Sequence, residues 1–168
     1  MKTPHILDPT KSNSVRAPDE KFERHPGPFR IGLMDLYTIF PGIEDSGFDL
    51  SKYPDAVYGE TNTTETYLIG SVTRWLEPRA VVEIGTFRGR STRIMAEESP
   101  EYTRVLTVDL SDKERQTRIP PNTSDIPFLR SGVVGEAYSD SEARRKITQV
   151  RMDATSAEFA KELERFLS

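Results

Sequence analysis

The feature that most constrains the fold is a succession of short apolar, β-branched runs separated by helical stretches. Ala80–Ile84 (AVVEI) and residues 105–108 (VLTV) are each bounded by turn residues, and residues 147–152 (ITQVRM) form a third run. Such runs have the composition of strands covered on both faces, so they predict buried parallel strands. Parallel neighbours need crossovers, and residues 91–98 and 139–146 carry helical patterns between them. The order β-α-β followed by α-β predicts an α/β layer fold.

The helices have recognisable ends. Asn62 and Glu65 stand three residues apart as a capping box that opens a helix, and Pro78 stops it. Leu68, Val72, Trp75 and Leu76 fall on one stripe of a 3.6-residue period, which predicts a helix packed on the sheet through that stripe. Ser139 with Glu142 suggests a second box. Thr155 with Glu158 suggests a third, ahead of an amphipathic helix bearing Phe159, Leu163, Phe166 and Leu167.

The chain divides into three regions. Residues 1–30 are rich in Pro, Lys, Asp and Ser with no apolar period, and read as a flexible tail, because little surface is available to offset the entropy of ordering. Residues 31–61 hold Phe40, Phe48, Tyr53 and Tyr58 among Pro41, Gly42, Gly47 and Pro54, an irregular segment that wraps or lids a body. Residues 62–168 form the α/β domain. Within it, residues 111–138 make a long connection punctuated by Pro120, Pro121, Asn122 and Gly132, a length more often functional or mobile than structural.

Composition narrows the chemistry. A formal charge of -4 argues against a nucleic-acid partner, which selects clustered Lys and Arg. With no cysteine, disulfides, zinc knuckles and thiol nucleophiles are excluded. The 2 histidines, His5 and His25, both lie in the polar tail, which argues against a histidine metal site or a serine–histidine triad. No apolar run approaches the roughly 20 residues that span a bilayer. The start also lacks the apolar stretch of a secretory signal, so a cytoplasmic protein without a membrane partner is expected.

The chemistry concentrates where the first strand meets the next helix, in residues 81–92 (VVEIGTFRGRST). Gly85 permits a tight bend or positive φ, and Gly89 permits close approach by a ligand or another element. Thr86 and Phe87 form the turn, and Ser91 opens the helix, whose free amides and dipole suit a carboxylate or phosphate. Glu83 is unusual in a strand so apolar, since a buried carboxylate needs a cation or good donors. A ligand ammonium would satisfy it, and so would an ion pair with Arg88 or Arg90. Asp109, at the end of VLTVDL, stands where an acid accepts from ribose hydroxyls in dinucleotide-type folds; it could equally cap the loop that starts at Leu110. Asp153 follows the third strand, where its carboxylate could accept from an adenine amine or cap the helix near Thr155. Amino-acid end, ribose and base would then lie across three adjacent strand ends.

VVEIGTFRGRST, VLTVDL and ITQVRMDAT together resemble the class I S-adenosylmethionine-dependent methyltransferases, and within them the small-molecule O-methyltransferase-like branch with E-I-G-x-x-x-G-x-S. The resemblance covers residues 62–167. It implies a Rossmann-like methyltransferase fold in which Glu83, Gly85, Thr86, Phe87, Gly89 and Ser91 line the methionine part, Asp109 and Leu110 meet the ribose, and Asp153 and Ala154 meet the adenine. It also implies that residues 58–64 cover the donor and that a small molecule accepts the methyl group.

The family sheet has seven strands ordered 3-2-1-4-5-7-6, and only the first three have candidates here. The expectation is therefore a partial parallel sheet (strands 3-2-1) with flanking helices, lacking the second half of the usual sheet. No residue is assigned a catalytic role on the acceptor side, and no metal site is expected. The first strand would be left as an open edge that a larger parent polypeptide, a complementary chain or an oligomer should cover. Two other functions remain open: a noncatalytic donor-binding or regulatory module, and an NAD-dependent oxidoreductase. The latter wants G-x-G-x-x-G, and Phe87 occupies its middle glycine position.

Overall fold

A computed structural model describes residues 36–56, 59–110 and 134–168. The tail, the start of the wrapping segment, Tyr58 and residues 111–133 of the long connection lie outside the described residues. In chain order the elements are α1 (Leu36–Ile39), α2 (Thr63–Leu76), β1 (Ala80–Ile84), α3 (Arg90–Glu98), β2 (Arg104–Asp109), β3 (Ile147–Arg151) and α4 (Ala157–Leu167). Short 3-10 helices occupy Ile43–Ser46, Leu50–Lys52, Glu136–Tyr138 and Glu142–Lys146.

The sheet is parallel throughout and ordered β1-β2-β3. Its register sets Val82 beside Leu106 and Leu106 beside Thr148. Because successive side chains leave opposite faces of a strand, β2 feeds two cores. Val105 joins Ala96 of α3, Tyr138, Ala143 and Ile147 on one face. Leu106 and Val108 join Phe159 and Phe166 of α4 on the other. The result is a helix–sheet–helix sandwich with β2 at its centre, the Rossmann-like α/β architecture expected from the sequence.

The buried face of α2 departs from expectation. Asn62 and Glu65 do form a reciprocal capping box, with Glu65 N donating to Asn62 Oδ1 over 3.0 Å and Asn62 N to Glu65 Oε2 over 2.8 Å. Yet the buried residues are Thr66, Gly70, Ser71 and Thr73, while Trp75 and Leu76 of the apolar stripe are exposed. The helix packs on α3 and on the wrapping segment rather than through that stripe. Small residues win because Phe48 lies directly over Gly70: a Cβ there would sit 2.1 Å from Phe48 Cε2.

Residues 36–56 are pinned at defined points. Trp75 Nε1 donates to Pro41 O over 2.9 Å, and its ring meets Phe40 edge-on at 5.3 Å. Arg74 bridges the segment to α3, donating from Nε to Ser46 O over 2.7 Å and from Nη1 to Glu98 Oε2 over 2.8 Å. Tyr53 donates to the other oxygen of buried Glu98 over 2.8 Å. Burial first, and then this carboxylate, push the Tyr53 phenol well above its ordinary range, so it remains a donor.

Two caps also differ from expectation. Residues 142–146 form a 3-10 turn rather than an α-helix from Ser139, and Ser141 caps it by accepting from Ala143 N. Ser156, not Thr155, caps α4 by accepting from Phe159 N over 3.1 Å. In each case a nearby serine has the extended backbone that an N-cap needs, at φ -79°.

Gly70→Ala tests the α2 packing. In an open helix this change adds up to about 1 kcal/mol of stability, but overpacking costs about 1–3 kcal/mol. The variant should unfold at lower denaturant than the parent. In a Phe48→Ala background the same change should become neutral or stabilising; a stabilising effect in both backgrounds would contradict the contact.

Candidate functional site

The carboxyl ends of β1, β2 and β3 converge on one rim of the sheet, where open α/β folds bind ligands. Glu83 projects from β1 on the α3 side. It finds neither an ammonium nor an arginine but hydroxyl donors: Ser91 Oγ donates to Oε1 over 2.5 Å, while Thr92 and Thr107 Oγ1 both donate to Oε2, the latter over 2.6 Å. Thr107 faces Glu83 because the parallel register makes them neighbours. Since the single Thr107 hydrogen goes to Glu83, Thr86, whose hydroxyl lies 2.6 Å away, must be the donor to Thr107. The alternative ion pairs do not form. Arg88 reaches Glu136 at 3.0 Å and Glu60 at 3.8 Å, and Arg90 donates to Thr66.

Asp109 closes the turn from the β2 side. Its Oδ2 accepts from Phe87 N and its Oδ1 from Leu110 N, each over 2.7 Å. The carboxylate thus caps its own loop and also pins the β1–α3 turn, a double role that spacing alone does not reveal. The third strand follows the same rim, with Met152 N donating to Asp109 O over 2.9 Å.

The two glycines of the turn serve different purposes. Both have positive φ, 93° at Gly85 and 86° at Gly89. A Cβ on Gly85 would meet none of the described residues within 4 Å, so among them the space over the turn is open. A Cβ on Gly89 would lie 2.5 Å from Tyr138 Cε1, so the element approaching there belongs to the protein. Tyr138 is held by the chain returning from the long connection, where Gly135 N donates to Phe87 O and Ala137 N to Arg88 O. Burial is the largest of the effects that raise its phenol pKa. Phe87, at φ 47°, is one of two non-glycine residues with positive φ among those described. It tolerates this because its amide and carbonyl are both clamped, by Asp109 and Gly135.

Asp153 organises the turn that leads into α4 rather than standing free. Its Oδ1 accepts from Thr155 N over 2.8 Å and Thr155 Oγ1 over 2.7 Å, and its carbonyl accepts from Ser156 N. Ala154 packs against the Leu106, Val108 and Phe159 core. Sequence reasoning missed Thr92, Thr107 and Tyr138. The signal for Thr107 was a hydroxyl in a strand otherwise apolar, which gains meaning only once the register sets it beside Glu83.

These features define an α/β domain with a polar, glycine-opened strand-end site. No family model and no curated protein matches the chain. Among solved structures, a protein from Klebsiella pneumoniae provisionally named an O-methyltransferase aligns at 17% identity over 76% of this chain and 44% of its own, with a TM-score of 0.45. Cofactor-bound Rv0187 from MTB aligns at 17% identity over 71% of this chain and 44% of its own, with a TM-score of 0.37. The chain therefore spans less than half the length of either. Among the described residues, no helix is long and apolar enough to cross a membrane, and no group of three or more His, Asp or Glu could hold a metal ion.

The glycines give a graded test. Ala at Gly85 should cost about 1–2 kcal/mol for its left-handed backbone alone. Ala at Gly89 should cost that and a further ~1–3 kcal/mol of overpacking against Tyr138. Denaturant titration of the two variants should show Gly89→Ala clearly the weaker; equal losses would contradict the Tyr138 contact.

Proposed function

We propose that this chain binds S-adenosylmethionine along the strand-end rim and supplies the donor-binding half of a methyltransferase acting on a small molecule, with oxygen as the acceptor atom. The observation that carries this reading is the unused hydrogen-bonding capacity of two carboxylates. An ionised carboxylate offers about four lone-pair sites. The three hydroxyls fill Glu83 Oε2 and half of Oε1, which leaves one acceptor direction on Oε1. Asp109 gives one lone pair on each oxygen to a backbone amide, which leaves one on each.

One acceptor near the β1 turn and two adjacent ones at the end of β2 match an ammonium followed by a vicinal diol. The open space over Gly85 admits the link between them. Asp153 and Ala154 stand where the adenine would reach the third strand end. The resemblance in VVEIGTFRGRST supports the same assignment. Residues 58–64, which run into the first turn of α2, are the segment that would cover the donor.

When bound, the donor supplies an electrophilic methyl group on a sulfonium. The chain's own contribution is positional. Glu83 fixes the amino-acid end, and the three hydroxyl donors hold that carboxylate in one orientation. Asp109 fixes both the ribose and the turn, so ligand and main chain share one anchor. Holding the methyl group in line with an acceptor removes much of the entropic cost of meeting it. The edge of β1 not bonded to β2, flanked by exposed Val82 and Ile84, is the place for the acceptor-binding part, in the same polypeptide or in a partner chain.

Calorimetry with S-adenosylhomocysteine and with NAD tests the reading. The nucleoside should bind and NAD should not. Asp109→Asn should weaken nucleoside binding tenfold or more, about 1.4 kcal/mol, with the fold retained by circular dichroism. NAD binding without nucleoside binding would overturn the assignment. Nucleoside binding with no methyl transfer from labelled donor to sugars or phenols would make the chain a noncatalytic binding module.

A further inference from the structure

A second site lies on a different face of α3. Where Ser91 and Thr92 turn toward Glu83, the side chain of Arg90 turns toward α2 and donates from Nη2 to Thr66 Oγ1 over 3.3 Å. Arg90 is only 9% exposed, and its Nε is buried without a hydrogen-bond partner. Among the described residues no carboxylate pairs with it. A guanidinium taken out of water and given one neutral acceptor is costly, and a positive group in such surroundings calls for an anion.

A cavity of about 350 Å³ adjoins it, lined by Leu50, Tyr53, Pro54, Asp55, Thr63 and Arg90 among others. Its volume falls in the range of small-ligand sites. Thr63, the first residue of α2, lines the same space. Leu50, Tyr53 and Pro54 offer apolar walls. The Tyr53 hydroxyl is committed to Glu98, so its ring rather than its oxygen is available. Among the described residues of the wall the one acid, Asp55, is exposed and makes no ion pair with Arg90.

We propose that this cavity binds a small organic carboxylate, with its apolar body against Leu50, Tyr53 and Pro54 and its charge on Arg90. The site uses another face of α3 and none of the strand-end residues, and Thr63 is the one residue it shares with the segment proposed to cover the donor. It makes the wrapping segment, residues 50–55, one wall of a binding site and not a passive cover.

Benzoate and its neutral analogue benzamide, titrated into the full chain by ligand-observed NMR, test it. Benzoate should bind at least tenfold more tightly than benzamide. Arg90→Gln should remove that preference, and Arg90→Lys should restore part of it. Should Arg90→Gln fail to fold, Leu50→Trp, which fills the cavity from its outer wall, should abolish benzoate binding while leaving the arginine in place. Equal affinity for the two probes would overturn the proposal, as would a preference that survives Arg90→Gln. Stoichiometric displacement of benzoate by S-adenosylhomocysteine would also overturn it, by assigning Arg90 to the donor's own carboxylate.

Discussion

The Glu83 carboxylate is the interaction on which the arrangement depends. It sits in the central layer, and its three hydroxyl donors come from β2 and from the first turn of α3. A half-buried negative charge is tolerated because every donor is short and because Thr86 feeds the network through Thr107. The same bonds lock β1 to β2 and orient α3 against both. Replacing the carboxylate with an apolar group would leave three hydroxyls without their common acceptor.

The turn after β1 inherits this rigidity. Its backbone is strained at Phe87, yet Asp109 holds the amide and Gly135 meets the carbonyl. Gly89 lets the Tyr138 ring close over the start of α3, so the chain segment after the long connection completes the turn from outside. Among the described residues only Gly85 of the turn is left open, so the rim is held by protein on its other sides and presents a fixed backbone at that point.

Much of this was legible in the sequence, and the exceptions share a cause. The strands could be read because short β-branched runs have few alternatives, and the Asn62–Glu65 box because its two bonds depend only on local spacing. Glu83 and Asp109 could be singled out as acids in apolar surroundings. Their partners could not, since Thr107 reaches Glu83 only through inter-strand register, and Phe87 N reaches Asp109 only after the turn has folded back. The buried face of α2 was misread for a related reason: Leu68, Val72, Trp75 and Leu76 are the more apolar stripe, but Phe48, distant in sequence, selects Gly70. Arg90 was legible only as a candidate partner for Glu83, and its burial against Thr66 follows from two helices and the wrapping segment meeting.

The central claim is that one ligand lies across Gly85, Phe87 and the end of β2. Titrating isotope-labelled protein with S-adenosylhomocysteine, while following backbone amides by two-dimensional NMR, tests it directly. Saturable shifts that are largest at Gly85, Phe87 and Leu110 are the predicted result. Saturable binding that leaves these three amides unmoved would contradict it.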